Sequence, residues 1–301
     1  MFHNQLSVIA VVMMLAYALA SPAAGSAPSA EQLANMTYTG IFEHPVTLEN
    51  GLWEGKPFVA GGASRPAVGL VEDFILTGDL NGDGDDEAVV LLWETSGGSG
   101  TFDYIAVVGM RNGATYNLGS ALIGERVQVR AGRIIGHRIE LDVIEAGPDD
   151  AVCCPGQKAT RSLSVDATGL HVNATKITGR QSLADLDGTA WVLSRFGTAQ
   201  PLAEEPPITL EFNGERMSGS SGCNRYFARV KETGELPGDL KVSGIGSTRT
   251  ACPEEIMGLE SGYLEALGDV TRYSFVAGKL ALTWRRGNTL GTLSFTPQHV
   301  Q

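Results

Sequence analysis

The sequence predicts a mainly β protein of the α+β kind. It predicts a β-rich N-terminal domain followed by an antiparallel, barrel-like domain with one helix. Apolar runs are short and bounded by Gly, Asn or Asp, which is typical of strands joined by turns. The dipeptide Asn213-Gly214 lies between two such runs and indicates a tight hairpin. A chain of 301 residues with 43% hydrophobic content is also long enough to bury two separate cores.

The first residues are typical of a secretory signal peptide. Leu6 to Leu19 is an apolar run that is too short to span a bilayer as a helix, and it ends at Ala18-Leu19-Ala20. We therefore expect residues 1–20 to be a signal peptide and residues 21–36 to be a flexible lead-in. No cysteine lies near the cleavage site, so the prediction is a periplasmic or secreted protein that is not a lipoprotein and has no transmembrane segment after cleavage.

Turn residues and composition divide the remaining chain. We predict a β-rich domain at residues 37–175, a linker at 176–184 and a second domain at 185–298. The strands expected in the first domain are Leu70–Thr77, Ala88–Trp93, Phe102–Gly109, Arg126–Arg130, Arg138–Ile144, Ala159–Val165 and Gly169–Val172.

The charge is negative and unevenly distributed. The chain carries a formal net charge of −12, and residues 31–178 hold 20 acidic against 10 basic side chains. The absence of a basic cluster argues against nucleic acid or an anionic membrane surface as a partner. The acidity of the first domain is compatible with a bound cation or simply with solubility.

A nine-residue acidic segment, Asp79 to Glu87, lies between two apolar runs. Oxygen-bearing side chains at its positions 1, 3 and 5, a Gly at 6 and a carboxylate at 9 suit a hard cation such as Ca²⁺. The same residues also form Asx-rich turns without a metal, so both interpretations stay open. The candidate ligands are Asp79, Asn81, Asp83, Asp85 through its carbonyl, and Glu87.

Cys153 and Cys154 are adjacent in sequence. They can pair with each other, pair with outside thiols or remain free, and a structural vicinal disulfide is the expectation. A metal site that recruits His137 and His171 is disfavoured because the cysteines lack the CxxC spacing. A redox-responsive pair is the alternative, because some disulfides are easily reduced.

The sequence lacks the HExxH, GxSxG, SxxK and Walker motifs of common enzyme classes. Within the mature domains only His44, His137 and His171 are candidates for a general base. We therefore predict that the protein is not an enzyme, with an enzyme of unrecognised type as an alternative.

One helix is predicted at Pro253–Leu267. Proline suits a first helical position, and the two glutamates that follow it favour the positive end of the helix dipole. Apolar residues recur at helical spacing, and we expect them to face the core. These residues are Ile256, Leu259, Tyr263, Leu264 and Leu267.

Two motifs occur in order in the second domain, Gly222-Cys223-Asn224 and then Ser247-Thr248-Arg249-Thr250-Ala251-Cys252-Pro253. Leu186–Trp191 precedes them, and Glu260, Tyr263 and Leu267 follow. With these residues, the segment from about 183 to 297 resembles a META domain, the module of the heat-shock lipoprotein HslJ. The resemblance implies a fold and an exported or envelope location, but no agreed biochemical activity. It marks Gly222, Asn224, Thr248, Arg249, Pro253 and Glu260 as family-motif residues.

The resemblance also implies roles for some of these residues. Cys223 and Cys252 fall in the two motifs, so a disulfide between them is expected if the chain is exported. Asn224 and Arg249 are expected to be partly buried polar supports, not catalysts. META domains are similar in fold to small secretin-pilot proteins, and this similarity implies a hydrophobic groove for a lipid or a partner segment.

The first domain resembles an uncharacterised module of exported bacterial proteins. The similarity extends from Gly51–Gly55, through the acidic segment and Ser96–Gly100, to Cys153-Cys154-Pro155. The spacing of the acidic segment is similar to the calcium loops of FG-GAP modules. The combined prediction is an exported, non-enzymatic envelope protein with a binding or stress-related role and an unknown partner, either an envelope protein or a lipid.

Overall fold

The computed structural model describes residues 26–197 and 206–298, and the predicted signal peptide at residues 1–20 lies outside them. The described chain is rich in antiparallel strands and has one long helix, as predicted. The helices are α1 (Ala30–Ala34) and α2 (Glu254–Gly268), with one 3-10 turn at Leu183–Leu186. In the part of the chain that the structure describes, no helix is both long and apolar enough to cross a membrane.

The first domain contains eleven strands in three sheets. The strands are β1 (Thr37–Tyr38), β2 (Val46–Thr47), β3 (Leu52–Glu54), β4 (Ala67–Gly78), β5 (Glu87–Thr95), β6 (Phe102–Arg111), β7 (Ala114–Glu125), β8 (Gln128–Ile135), β9 (Arg138–Glu145), β10 (Gln157–Asp166) and β11 (Gly169–Arg180). Strands β3 to β7 form one antiparallel sheet and β8 to β11 form another, both in sequence order, while β1 and β2 pair separately.

Strand β5 is buried on both faces, which explains its continuous apolar sequence. Val89 and Leu91 enter a core shared with the sheet of β8 to β11. Val90 and Leu92 face the opposite way, into a core formed with α1, β1 and β2. The sheet of β3 to β7 is therefore the middle layer of the first domain.

The expectation of a flexible lead-in at residues 21–36 is wrong for its last residues. Helix α1 begins after Ser29, whose side chain accepts the backbone N–H of Gln32 while the Gln32 side chain accepts the backbone N–H of Ser29. Leu33 and Met36 are 0% and 5% exposed. Burial of these two side chains against the middle sheet holds a helix that is too short to be stable alone.

The predicted linker at residues 176–184 is also ordered structure. Strand β11 continues to Arg180, and the 3-10 turn follows within a few residues. Strand β11 lies at the edge of its sheet, and its side chains beyond Leu170 are exposed. Because neither face is buried there, the sequence shows no apolar alternation to indicate a strand.

The second domain is one curled antiparallel sheet covered by α2. Its strands are β12 (Ala190–Phe196), β13 (Thr209–Asn213), β14 (Arg216–Ser220), β15 (Arg225–Glu232), β16 (Leu240–Ser247), β17 (Val270–Val276), β18 (Lys279–Arg286) and β19 (Thr289–Pro297). The order is β16-β15-β14-β13-β12-β19-β18-β17. Among the described residues, the two end strands approach each other through one bridge, between Asp239 and Arg272, so the sheet forms an incompletely closed barrel.

The two domains share a packed interface. Ile144 of β9 lies in the core of the second domain. Across the interface, the backbone N–H of Gly278 donates to the carbonyl of Val129 at 2.9 Å, and that of Phe275 donates to the Gln128 side chain at 2.9 Å. The sequence predicted two separate units, whereas the structure joins them by apolar packing and backbone hydrogen bonds.

Two tryptophans lie across glycines on neighbouring strands. Trp93 is paired directly with Gly69, and Trp284 with Gly291. A Cβ atom at either glycine would lie 2.3 Å from the facing indole. Glycine is therefore required at both positions for the ring to lie flat on the neighbouring strand.

Candidate functional site

A surface groove runs between the end of β16, the segment 248–253 and α2; we call it the α2 groove. Its volume is about 600 Å³. Four of the six family-motif residues line it, together with three large apolar side chains. The motif residues are Asn224, Thr248, Arg249 and Glu260, and the apolar ones are Ile245, Met257 and Leu264.

Asn224 holds the wall of the groove together. It is 6% exposed, and its backbone N–H donates to Glu260 Oε2 at 3.0 Å while its amide donates to Oε1 at 3.0 Å. Its Oδ1 accepts the Thr248 hydroxyl and the Thr250 backbone N–H, each at 2.7 Å. This buried amide is therefore fully hydrogen-bonded, and it joins the β14–β15 turn to α2 and to the segment before α2.

The turn that presents Asn224 depends on its neighbours. The carbonyl of Asn224 accepts two hydrogen bonds from Ser221, at 2.7 Å from the backbone N–H and 2.8 Å from the hydroxyl. Gly222 has a φ of +99°, a conformation that favours glycine. Cys223 is paired with Cys252, with Cα atoms 6.0 Å apart, just before the Pro253 cap of α2. The two motifs thus meet at the start of α2.

Arg249 differs from the other motif residues. It is exposed, and within the described ranges its side chain has no hydrogen bond or ion pair. The expectation of a partly buried polar support therefore holds for Asn224 and is wrong for Arg249. Its motif neighbours bond to one another, and Glu265, another acid of the groove, is paired with Arg286 at 2.9 Å. The Arg249 guanidinium is therefore available to an incoming anion.

The floor of the groove is apolar. Met257 is 47% exposed, while Ile245 and Leu264 are half-buried and pack on the core. The sequence predicted that Leu264 faces the core, and the structure places it at the boundary between core and groove. Met257 was not identified from the sequence, because its position falls outside the predicted apolar stripe.

Two tyrosines lie beneath the groove. The hydroxyls of Tyr226 and Tyr263 are 2.7 Å apart, and the Tyr226 hydroxyl also donates to the carbonyl of Thr209 at 2.9 Å. Burial raises the pKa of both phenols above the usual value. They remain neutral at physiological pH and support the fold under α2.

Comparison with known proteins identifies a family for the second domain. The family model described as "META domain" matches residues 184–296, which include the groove, both motifs and α2. Residues 184–296 form a META domain. One NMR structure is similar at 23% identity, covering 38% of this chain and 93% of its own, with a TM-score of 0.32. An NMR structure of a protein from Burkholderia xenovorans is similar at 28% identity, covering 39% of this chain and 86% of its own, with a TM-score of 0.30. No curated protein matches the chain.

Outside the META domain, the acidic segment forms a network of side-chain-to-backbone turns. Asp79 accepts the backbone N–H of Gly82 at 2.7 Å and that of Gly84 at 3.3 Å. The Oδ1 of Asn81 accepts the N–H of Asp83, and the Oδ1 of Asp83 accepts that of Asp85. These bonds satisfy the loop backbone as Asx turns do.

Three of the five candidate ligands meet at one point in this loop. The Asn81 amide nitrogen lies 3.0 Å from Asp83 Oδ2 and 2.8 Å from Glu87 Oε1. Glu87 is 2% exposed, and burial raises the pKa of its carboxyl. Among the residues described, no group of three or more His, Cys, Asp and Glu side chains is arranged to hold a metal ion. The position between the two carboxylates is filled by an amide donor, and calcium binding stays a prediction.

Cys153 and Cys154 are paired with each other in the loop between β9 and β10. The histidines considered for a metal site are engaged elsewhere. His137 Nδ1 lies 2.7 Å from the carbonyl oxygen of Asp79, and His171 Nε2 lies 3.1 Å from Asp166 Oδ1. The structure therefore does not bring the adjacent cysteines and these histidines together.

The sequence did not identify the residue that contacts the adjacent cysteines. Arg272 of β17 donates to Cys154 Sγ at 2.9 Å from the META domain, 118 residues further along the chain. No local pattern could indicate this contact, because it depends on how the two domains pack.

Proposed function

We propose that the protein is a non-enzymatic binding protein of the cell envelope, and that its META domain holds an extended segment of a partner protein in the α2 groove. The observation that carries this proposal is the unpaired guanidinium of Arg249 above an apolar floor. A groove of this composition suits a segment with apolar side chains and a carboxylate.

The open edge of β16 supports an extended partner. Strand β16 is paired along its length with β15 on one side. On the other side, the described residues contribute only the bridge between Asp239 and Arg272 at the far end. Ile245 and Ser247 are in the part of β16 that lines the groove. A partner strand added there would gain backbone hydrogen bonds, with alternate side chains directed to the apolar floor.

The rigidity of the groove supports a binding role. The Cys223–Cys252 bond and the hydrogen bonds of Asn224 fix both walls before any partner arrives. A site that is already ordered loses less conformational entropy when it binds. The catalytic alternatives lack comparable support, because Asn224, Thr248 and Glu260 of the groove are hydrogen-bonded to one another and hold its walls.

An exported location is part of the proposal. Four cysteines in two disulfide pairs are typical of oxidising compartments such as the periplasm or the cell exterior. Mass spectrometry of protein purified from the envelope fraction should find Ser21 as the first residue. A mature chain that begins at Met1 and has four free thiols in the cell would contradict export.

Binding can be tested with synthetic eight-residue peptides of alternating Val and Ser, made with a free or an amidated C-terminus. We expect the free acid to bind the full chain more tightly, by calorimetry and by NMR shifts at Ile245 and Met257. Arg249→Gln should remove the preference for the acid, a loss of about 3- to 10-fold for one exposed charge-assisted contact. Arg216→Gln, an exposed arginine in the β13–β14 hairpin, is the matched control and should retain the preference.

The alternatives give distinct outcomes. Binding of dodecanoate in the groove without binding of either peptide would show that a lipid is the ligand and would refute the proposal of a partner segment. Equal binding of the acid and the amide by the wild type would refute recognition of the carboxylate by Arg249. An equal loss of the preference for the acid in the Arg249 and Arg216 variants would refute it as well.

A further inference from the structure

The vicinal disulfide lies at the interface between the two domains. Cys153 and Cys154 belong to the β9–β10 loop of the first domain, whereas Arg272 lies on β17 of the META domain. The Arg272 guanidinium donates to Cys154 Sγ at 2.9 Å and, through Nε, to Asp239 Oδ1 at 2.6 Å. The ion pair with Asp239 fixes the guanidinium against the sulfur.

The two sulfur-bearing residues differ in exposure. Cys153 is exposed, whereas Cys154 is 4% exposed. A thiolate from outside can therefore reach Cys153 and cannot readily reach Cys154. The sulfur that is attacked and the sulfur that leaves are set by this difference, because exchange requires access to the attacked atom.

The leaving sulfur is the one that contacts the cation. A guanidinium beside a cysteine lowers the pKa of its thiol, and a thiol of lower pKa leaves faster in disulfide exchange. Exposure and charge thus favour the same direction of cleavage. The second disulfide of the chain differs, because Cys223 and Cys252 are both half-buried and neither has an arginine contact among the described residues.

We propose that Cys153–Cys154 is a thiol–disulfide exchange site that accepts electrons from a dithiol, with Cys153 as the attacked sulfur, Cys154 as the leaving sulfur and Arg272 as the group that stabilises the Cys154 thiolate. This site is separate from the α2 groove. Its partner is any reductant that carries two neighbouring thiols, either a protein dithiol or a small one.

The exchange proceeds in two steps. One thiolate of the dithiol forms a bond to Cys153 Sγ, the bond between the two cysteine sulfurs breaks, and its electron pair stays on Cys154. The second thiolate of the dithiol then attacks the first sulfur of the same dithiol, which is now bonded to Cys153 Sγ. That bond breaks, and Cys153 leaves as a thiolate and takes up a proton. The dithiol becomes a disulfide, and the cysteine pair gains two electrons.

The test uses the oxidised full chain with 2-mercaptoethanol as a monothiol probe. After a short exposure, acid quenching and alkylation with iodoacetamide, the tryptic peptide Ile139–Lys158 holds both cysteines and can be sequenced by tandem mass spectrometry. We expect the mercaptoethanol adduct on Cys153 and the alkyl group on Cys154. The reverse assignment would overturn the proposal.

The role of Arg272 is tested by rate. With dithiothreitol, Arg272→Gln should slow reduction of Cys153–Cys154 by roughly 3- to 10-fold, as expected when a thiolate loses a neighbouring cation. Reduction of Cys223–Cys252 in the same molecules should not change. Arg285→Gln, an exposed arginine on neighbouring β18, is the matched control and should react like the wild type.

A folding defect can be separated from a loss of charge. Arg272→Lys retains a cation, so its rate should lie nearer to that of the wild type than to that of Arg272→Gln, and the melting temperatures of all variants are measured in parallel. Equal rates for Arg272→Gln and Arg285→Gln would refute the role of the guanidinium. Reduction of both wild-type disulfides at the same rate would refute the exchange site.

Discussion

Asn224 donates hydrogen bonds to Glu260 from both its backbone N–H and its side-chain amide, each at 3.0 Å, although 36 residues separate the two in sequence. Glu260 lies on α2, and Asn224 lies in the turn before β15. One carboxylate therefore attaches the helix to the sheet at the α2 groove. These hydrogen bonds give the two family-motif residues a structural role.

Substitution Asn224→Ala should destabilise the META domain by about 2–4 kcal/mol, because it removes charge-assisted bonds and leaves the Thr250 N–H without its acceptor. Urea unfolding measures the loss. Asn173→Ala is the control, since Asn173 is exposed and its side chain bonds only to Ser164 within the described part of the chain. A similar, small loss in both variants would show that the Asn224 network contributes little.

The paired cysteines beside Asn224 give a second prediction. The bond between Cys223 and Cys252 spans a sequence separation of 29 residues. The chain-entropy relation then gives a stabilisation of about 3–4 kcal/mol from this covalent loop. The double variant Cys223→Ser/Cys252→Ser should lose about this amount in thermal or urea unfolding. An unchanged unfolding midpoint would indicate that the hydrogen bonds of Asn224 alone hold the two motifs together.

The sequence was most informative where the signals are local. Helix α2 is predicted within one residue at each end, because proline, glutamates and the apolar stripe all lie in the segment itself. The hairpin at Asn213-Gly214 also forms, between β13 and β14. Strand β7 was missed because its Asn117 and Gly119 are typical of turns, whereas here they lie in an irregular ladder with β6.

Features that depend on tertiary packing could not be predicted from the sequence. Helix α1 is stabilised by burial of Leu33 against the middle sheet. The five residues of the helix contain no pattern that predicts this contact. The contact of Arg272 with Cys154 requires the domain interface. For the α2 groove, the motifs marked Asn224, Glu260 and Arg249, but only the structure distinguishes the two residues that bond to each other from the one that is free.

Calcium binding to the acidic segment gives a third prediction. A cation bound between Asp83 and Glu87 would replace the Asn81 amide as the positive group there and reduce the repulsion among five acids. At a hundredfold excess over Kd, Ca²⁺ should stabilise the native state by about 2.7 kcal/mol. Scanning calorimetry of the full chain in EDTA and then in Ca²⁺ measures the shift.

The controls for calcium separate binding from screening. Asp83→Ala should abolish the shift, whereas Asp149→Ala, in an exposed loop of the same domain, should retain it. Na⁺ at equal ionic strength should have little effect. Identical curves in EDTA and Ca²⁺ would show that the amide of Asn81 already satisfies these carboxylates and that the segment is only a turn.

Asp103 on β6 gives a prediction about pH. Burial raises the pKa of its carboxyl to about 7, and the hydrogen bond from the Val127 N–H at 2.8 Å opposes that rise only in part. The folded state therefore holds this proton more tightly than the unfolded chain, whose Asp pKa is about 3.9. The contribution of the protonated Asp103 carboxyl to the unfolding free energy is therefore fully present below about pH 4. It is lost as the pH rises toward 7.

Replacement of Asp103 by asparagine should remove the loss of stability that comes from ionising a buried carboxyl. In Asp103→Asn the side-chain oxygen can still accept the Val127 N–H, and no charge is buried at any pH. The variant should match the wild type near pH 4 and exceed its unfolding free energy at pH 8 by on the order of 2–4 kcal/mol. Urea unfolding at pH 4, 6 and 8 measures the difference, with exposed Asp149→Asn as the control. A difference between variant and wild type that is constant with pH would show that the pKa of Asp103 in the folded protein is not raised above its value in the unfolded chain.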